Sequence, residues 1–225
     1  MKHIRGVILD VDGTLVDSND AHANAWVDAL TEHGVNVEYE KVRSLIGMGG
    51  DKLLPEVSGI EEEAPEGERI GKRRGEIFKE RYLPKLKAFP STRELLQRMR
   101  DEGLKLVVAS SAKEDELNPL LKVAGAGDLV EEKTSSDDAE NSKPDPDIVK
   151  AALKSSGLAA DEVLMLGDTP YDIESASRAG VRVVAVRCGG WKDEDLSGAV
   201  AIYDGPADLL AHYDTSPLST SRDEK

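Results

Sequence analysis

Two aspartates separated by one residue, Asp10 and Asp12, follow an apolar run in the stretch ILDVDGTLVDS at residues 8–18. Side chains at positions i and i+2 of an extended chain point to the same side, so these carboxylates can converge just beyond a strand. Such a pair can hold a divalent cation, supply a nucleophile, or act as general acid and base. A second interpretation stays open here, because Asp12-Gly13 between apolar segments also predicts a β-hairpin turn.

Further candidate side chains follow two other apolar runs and precede one of them. KLVVASSAK carries Ser110 and Ser111 at its end, VLMLGDTPYD carries Asp168, and the loop NSKPDPDIV carries Lys143. In an open parallel sheet, ligands bind beyond the carboxyl ends of the strands. We therefore expect three carboxylates, a hydroxyl and a lysine to face one crevice.

The elements that must position these residues are apolar runs rich in Val, Ile and Leu, separated by helical segments. The expected strands are residues 7–11, 104–109, 163–166 and 181–186, with a weaker run at 128–132. The runs are continuous rather than alternating, which is typical of strands covered on both faces. The pattern predicts an α/β fold with a Rossmann-like, mostly parallel sheet flanked by helices. Ser91 and Glu94 form an expected capping box at the start of one helix.

Residues 17–87 form an excursion between the first two strands that is too long for a structureless loop. Apolar spacing predicts a helix ending at Gly34 and more helix near residues 41–45, 52–57 and 69–82. The predicted organisation is an α/β core of residues 1–16 and 88–213, and an inserted α-helical cap of residues 17–87. Residues 214–225 have little apolar content and are expected to be disordered.

Composition narrows the possible partners and location. The chain of 225 residues is 39% hydrophobic and 32% charged, which is typical of a globular protein, and no apolar run approaches the length of a membrane span. A net charge of -15 argues against nucleic-acid binding, and four scattered histidines argue against a zinc site. Cys188, the single cysteine, cannot form an internal disulfide. We expect a cytoplasmic protein, a monomer or weak homodimer, with no nucleic-acid or membrane partner.

The motifs occur in an ordered set that resembles the haloacid dehalogenase superfamily of phosphohydrolases. The set comprises DVDGT at 10–14, Ser110, Lys143 in KPDPDI, and GDTPYD at 167–172, and the resemblance covers residues 4 to about 187. The helical insertion directly after the first motif resembles the phosphoglycolate phosphatase and β-phosphoglucomutase branch. The resemblance implies a magnesium enzyme whose partner is a small-molecule phosphate ester.

The same resemblance implies a role for each acidic residue of the motifs. Asp10 would be the nucleophile that forms an aspartyl-phosphate, and Asp12 the general acid and then the general base. Mg²⁺ would be held by the carboxylates of Asp10 and Asp168 and by the backbone carbonyl of Asp12. Asp172 would support the metal through water.

The remaining residues implied by the resemblance would contact the substrate. Lys143 would place a positive charge on the transferring phosphoryl group, and Ser110, with Ser111 beside it, would donate hydrogen bonds to its oxygens. His22 occupies the place of a hinge histidine of the mutase branch. Gly47 and Met48 lie in LIGMGGDKLL, which matches the substrate-contacting loop of the cap.

Two departures from family patterns narrow the activity. Dehalogenases of the family lack the second aspartate, which is present here as Asp12. Phosphonate hydrolases of the family need a lysine in the cap, and no convincing candidate is found, although Lys41 and Lys52 stay open for that role. Mutases carry a lysine and an arginine where this chain has Ile46 and Gly50, so a doubly charged intermediate would be poorly held. We expect a phosphatase acting on phosphoglycolate or a sugar phosphate. The alternatives are a β-phosphoglucomutase-type phosphoryl transferase and a non-catalytic phosphate-binding protein.

Overall fold

The computed structural model describes residues 3–219 and contains one six-stranded parallel sheet in the order β3-β2-β1-β4-β5-β6. The strands are β1 (Gly6–Leu9), β2 (Lys105–Ala109), β3 (Glu132–Thr134), β4 (Val163–Gly167), β5 (Arg182–Val186) and β6 (Ala201–Tyr203). The strand order reverses direction at β1, where doubly wound sheets open a crevice at their carboxyl edge. The predicted α/β fold with a parallel sheet is confirmed.

The helices cover both faces of this sheet. They are α1 (Asn19–Glu32), α2 (Tyr39–Arg43), α3 (Gly50–Ser58), α4 (Pro65–Ile77), α5 (Thr92–Asp101), α6 (Glu114–Val123), α7 (Asp147–Ser156), α8 (Pro170–Arg178) and α9 (Pro206–Ala211). Because side chains alternate along a strand, Leu9 packs with α5, α6 and α9 on one face, whereas Ile8 packs with α7 and α8 on the other. Within residues 3–219, no helix has the length and apolarity needed to cross a bilayer.

The central position of β1 rules out the hairpin interpretation of Asp12-Gly13. All four residues of β1 are buried, and they pair in parallel with both β2 and β4, which leaves no edge for residues 14–16. A tight turn nevertheless forms after β1: Gly13 has a φ of 77°, and its N–H donates to the carbonyl of Val16 at 2.8 Å. The apolar run therefore ends in a turn that leads out of the sheet.

The chain between β1 and β2 forms α1 to α4, and α4 continues as a π-helix over Phe78–Tyr82. The segments that enter and leave this helical insertion pair with each other, because the N–H of Asp17 donates to Lys87 and the N–H of Phe89 donates to Leu15, both at 3.0 Å. This pairing lies at the expected boundaries of residues 17–87. The division into core and cap stays a prediction.

Two local expectations at the ends of elements are wrong. The third strand begins at Glu132 instead of residue 128, because the N–H groups of Leu129 and Val130 both donate to Ala126 in a turn after α6. The capping box at Ser91 is not formed: Ser91 has a φ of 60° and its side chain makes no capping hydrogen bond. The hydroxyl of Thr92 instead ties the start of α5 to the carbonyl of Leu15 at 3.1 Å.

The expected disorder of residues 214–225 is contradicted over its first half. Leu218 is fully buried in the larger apolar cluster, and its N–H donates to the Ser216 hydroxyl at 3.2 Å. One leucine in a polar stretch is enough to anchor the chain here, because it finds a preformed apolar surface. Residues 220–225 lie outside the described part of the chain.

Candidate active site

Three acidic residues and one lysine meet at the carboxyl edge of the sheet. Asp10 follows β1, Asp168 follows β4, Asp172 lies in the first turn of α8, and Lys143 precedes α7. All four are buried, and Lys143 Nζ lies 2.6 Å from Asp10 Oδ1 and 2.7 Å from Asp172 Oδ1. Lys143 Nζ also donates to the carbonyl of Ala109 at 3.0 Å, at the end of β2. The lysine thus links the ends of β1 and β2 to the first turn of α8.

Asp168 is held against Asp10 by side chains of the turn and of α1. The Thr14 hydroxyl lies 3.0 Å from both Asp10 Oδ2 and Asp168 Oδ1, and Asn19 Nδ2 donates to Asp168 Oδ2 at 2.9 Å. A Cβ on Gly189 would lie 1.7 Å from Asp168 Oδ2, so only glycine admits the carboxylate there. Asp168 therefore has one tightly defined position.

Burial and like charges make these carboxylates costly to ionise without a cation. Burial, followed by the nearby charge of Asp172, raises the pKa of Asp10 to about 7, although Lys143 opposes the shift. Burial, with the charges of Asp10 and Asp172, raises the pKa of Asp168 well above its usual value. Burial alone would lower the pKa of Lys143, but Asp10 and Asp172 outweigh it and raise that pKa. Negative charge is therefore in excess at this site.

The excess charge and the ligand types fit a hard divalent cation. Carboxylate oxygens of Asp10, Asp168 and Asp172 lie within 4.8 Å of one another. Lys143 pairs with Asp10 and Asp172 but not with Asp168, and oxygen donors are those that Mg²⁺ prefers. In the structure Asp172 contacts Lys143, and its Oδ2 accepts hydrogen bonds from the backbone and hydroxyl of Thr169 at 3.0 and 2.7 Å. Its contact with a metal through water stays a prediction.

Asp12 lies in a different electrostatic environment from Asp10. Its Oδ1 accepts a hydrogen bond from the Ser18 hydroxyl at 2.5 Å and lies 2.8 Å from His22 Nε2. Burial would raise the pKa of Asp12, but His22 and Ser18 outweigh it and hold this pKa below its usual value. His22 is itself fixed by stacking on Phe78 at a centroid distance of 4.0 Å. In the metal-free protein the pKa values of Asp10 and Asp12 are therefore displaced in opposite directions.

Asp10 and Asp12 open into a small crevice of about 50 Å³ between the strand ends and the helical insertion. Its lining includes the predicted residues His22, Gly47, Met48 and Ser111. The loop of the insertion lies directly over the strand ends, since the Ser111 hydroxyl donates to the Gly47 carbonyl at 3.4 Å. Ser110 is buried instead, and its hydroxyl accepts a hydrogen bond from the N–H of Ala112 at 3.1 Å. The structure therefore brings Ser111, rather than Ser110, to the crevice surface.

Sequence reasoning missed several residues that build the site. Thr14 and Asn19 position Asp168, and Arg74 and Glu116 line the crevice. Arg74 Nη1 donates to Glu116 Oε2 at 2.7 Å, and the guanidinium lies 5.1 Å from the centroid of the Trp26 ring. Thr14 could have been noticed from its place inside DVDGT. The run KRR at 72–74 is only a basic stretch in the sequence, and nothing there indicates which of its cations faces a crevice.

Comparison with known proteins identifies the family. The sequence profile described as haloacid dehalogenase-like hydrolase matches residues 7–186. Phosphoglycolate phosphatase of Rhodospirillum rubrum is 30% identical, over 91% of this chain and 89% of that protein. The crystal structure of a hydrolase from Pseudomonas syringae is 31% identical and superposes with a TM-score of 0.86, over 94% of this chain and 98% of that chain. The chain belongs to the haloacid dehalogenase-like hydrolases.

A further relative is much longer than this chain. SUPPRESSOR OF QUENCHING 1, a chloroplastic protein of Arabidopsis thaliana, is 32% identical over 82% of this chain, which spans only 18% of that protein. This match therefore concerns one part of the plant protein. Because the family consists of hydrolases and its relatives include named phosphatases, the chain is an enzyme of the phosphoric monoester hydrolase class.

Proposed function

We propose that the protein hydrolyses a small organic phosphate monoester, phosphoglycolate or a sugar phosphate, through an aspartyl-phosphate on Asp10 with Mg²⁺ as cofactor. The observation that carries this proposal is the contact of 2.6 Å between Asp10 Oδ1 and Lys143 Nζ at the base of a crevice that Asp12 also lines. A nucleophile, a fixed cation and an acid–base group are thus within reach of one bound phosphoryl group.

The residues support a two-step displacement at phosphorus. A carboxylate oxygen of Asp10 attacks phosphorus, and the bond to the leaving oxygen breaks as Asp12 transfers a proton to that oxygen. Water then attacks the phosphorus of the aspartyl-phosphate while Asp12 takes the water proton, which releases phosphate and restores both side chains. Lys143 supplies a fixed positive charge that stabilises the negative charge of the phosphoryl oxygens. His22 and Ser18 orient the Asp12 carboxyl.

Mg²⁺ would be held by the carboxylates of Asp10 and Asp168 and by the backbone carbonyl of Asp12. When bound, the ion supplies positive charge that offsets the repulsion between the Asp10 carboxylate and an anionic substrate. Ser110 and Ser111 would contact the phosphoryl group, and Gly47 and Met48 the part of the substrate beyond it. In this proposal, residues 17–87 act as a cap that excludes water from the crevice.

The test is phosphate release from a panel of small phosphate esters, with Mg²⁺ and with EDTA. We expect release to need the metal and to fall at least about 10⁴-fold in Asp10→Asn, because the nucleophile is lost. Asp17→Asn is the matched control, since this exposed aspartate follows the same turn. Substantial metal-independent turnover, or an active Asp10→Asn variant, would contradict the proposal.

A phosphoryl transferase of the β-phosphoglucomutase type is the second candidate, and two observations favour it. His22 Nε2 lies 2.8 Å from Asp12 Oδ1, and Arg74, although paired with Glu116, brings a cation to the crevice where Ile46 and Gly50 bring none. Interconversion of sugar phosphates with little free phosphate would establish it. Metal binding without turnover of any phosphate ester would instead favour a non-catalytic phosphate-binding protein.

A further inference from the structure

A second, larger cavity lies directly beside the catalytic crevice, between α4 and the start of α6. Its volume is about 430 Å³. Three residues line both this cavity and the crevice, namely Trp26, Arg74 and Glu116, which we term the shared wall. The other lining residues are Glu62, Glu68, Gly71, Lys72, Gly75, Glu76, Lys79, Lys113 and Asp115. The two spaces are therefore neighbours separated by three side chains.

The two volumes differ enough to divide a substrate between them. One water-sized position needs about 10–15 Å³, so the crevice of about 50 Å³ has room for a phosphoryl group and little more. The larger cavity falls within the range of volumes that small organic ligands occupy. A phosphate ester whose phosphorus faces Asp10 thus needs space beyond the crevice for its organic part.

Gly71 of α4 leaves part of the larger cavity open. Gly67 has a packing reason, because a Cβ there would lie 2.0 Å from the carbonyl oxygen of Glu61. Gly71 has none, since a Cβ at this position would approach only Glu62 Oε1, at 3.8 Å. A glycine inside a helix costs about 1 kcal/mol relative to alanine. Packing therefore does not explain why a glycine stands at position 71, whereas the need for an open cavity does.

The charges around the cavity indicate the chemistry of its ligand. Five carboxylates and four cations line it, so its net charge is close to neutral. Two of these cations are already paired, Arg74 with Glu116 at 2.7 Å and Lys79 with Asp115 at 2.5 Å. A second phosphate or a carboxylate would gain little there, because its charge would meet carboxylates as well as cations. A lining that combines hydrogen-bond donors with acceptors suits an uncharged group that carries several hydroxyls.

We propose that this cavity receives the organic part of the substrate, and that the preferred substrate is the phosphate monoester of an uncharged, sugar-sized polyol. This inference rests on the proposed phosphatase function and makes its substrate class specific. A substrate that extends from Asp10 into the cavity must pass the shared wall. The Arg74–Glu116 hydrogen bond therefore opens or shifts when such a substrate binds.

The experiment compares Gly71→Leu with the wild-type protein on hexose monophosphates and on phosphoglycolate, which is short and anionic. The leucine side chain occupies part of the cavity, so we expect the ratio of kcat/KM for hexose monophosphates to that for phosphoglycolate to fall about tenfold or more. Gly127→Leu is the matched control, because Gly127 is exposed and a Cβ there would meet no atom within 4 Å. The control should keep the wild-type ratio.

A binding measurement separates recognition from turnover. In the Asp10→Asn background, calorimetry with a hexose monophosphate should show about tenfold weaker binding when Gly71→Leu is added. An unchanged ratio and unchanged affinity would overturn the inference. Wild-type protein that hydrolyses phosphoglycolate but no hexose monophosphate would overturn it while leaving the phosphatase function intact. If no ester released phosphate, both this inference and the proposed phosphatase function would be contradicted.

Discussion

The floor and the roof of the catalytic crevice are built on different principles. The floor consists of Asp10, Lys143, Asp168 and Asp172 at the strand ends, and each of these residues is at most 6% exposed and in direct contact with another. The roof consists of residues 46–50 together with Trp26 and Arg74 of the insertion, and it includes three glycines. Rigid, charge-paired groups suit one fixed reaction, whereas a glycine-rich loop on a helical insertion suits adaptation to different substrates.

Breaking the floor at Lys143 should have a larger effect than any change in the roof. Lys143→Met should lower kcat by about 10²–10³-fold, because a charge aimed at the phosphoryl group is lost. It should also cost about 3–5 kcal/mol of stability, since buried carboxylates lose their partner. Kinetics and urea unfolding measure both effects. Lys150→Met, at an exposed position of α7, should change neither, and a Lys143 variant with normal kcat would remove the distinction between floor and roof.

A cation should stabilise the floor in a pH-dependent way. The pKa of Asp10 is raised from its usual value near 3.8 to about 7, so the metal-free folded protein holds this proton more tightly than the unfolded chain does. This site therefore lowers stability as pH rises through that window. Mg²⁺ at a hundredfold excess over its Kd should add about 2.7 kcal/mol at pH 8.

Thermal unfolding with and without Mg²⁺ at pH 8 and pH 5.5 measures this response. The increase in Tm should be smaller at pH 5.5, because Mg²⁺ must then displace protons from the carboxylates. Asp168→Asn should lose most of the response at both pH values. An equal increase in Tm at both pH values would show that the ion binds elsewhere.

A change in the roof should alter binding more than chemistry. Arg74→Met removes a crevice cation without touching Asp10 or Lys143, so KM should rise about tenfold while kcat changes much less. Steady-state kinetics on one preferred ester separates the two constants. Arg73→Met is the neighbouring control, since Arg73 pairs with Glu32 and Glu76 and lines neither the crevice nor the larger cavity. If Arg74→Met lowered kcat as much as Lys143→Met does, Arg74 would act in the chemical step, as the residues of the floor do.

The smallest effect distinguishes two glycines of the same helix. Gly71→Ala should raise the free energy of unfolding by about 0.5–1 kcal/mol, because alanine is the better helix former and the added methyl group meets open space. Gly67→Ala should lower it, because its Cβ would meet the Glu61 carbonyl oxygen at 2.0 Å. Urea unfolding of both variants gives the comparison. Destabilisation by Gly71→Ala would mean that the larger cavity is already filled in the folded protein.

The floor was more predictable from the sequence than the roof. Asp10, Asp168 and Lys143 could be assigned to one edge because a parallel sheet brings the ends of its buried strands together, and those strands are readable as apolar runs. Ser110 and Ser111 show the limit of that reasoning, because the backbone after β2 turns and exposes the second serine instead of the first. Arg74 could not be assigned at all, since its place depends on how α4 packs across the crevice.

The sequence by itself determined the α/β sheet, its helical insertion and the acidic floor, because local apolar patterns specify the strands and helices, and a parallel sheet brings the carboxyl ends of its strands to one edge. Only the tertiary structure decided which residues form the roof, that Asp12 faces His22, and that Leu218 anchors the tail. It also decided the separation of the small crevice from the larger cavity by Trp26, Arg74 and Glu116. These features depend on contacts between residues far apart in the chain, and burial and charge pairing act only once such residues have been brought together.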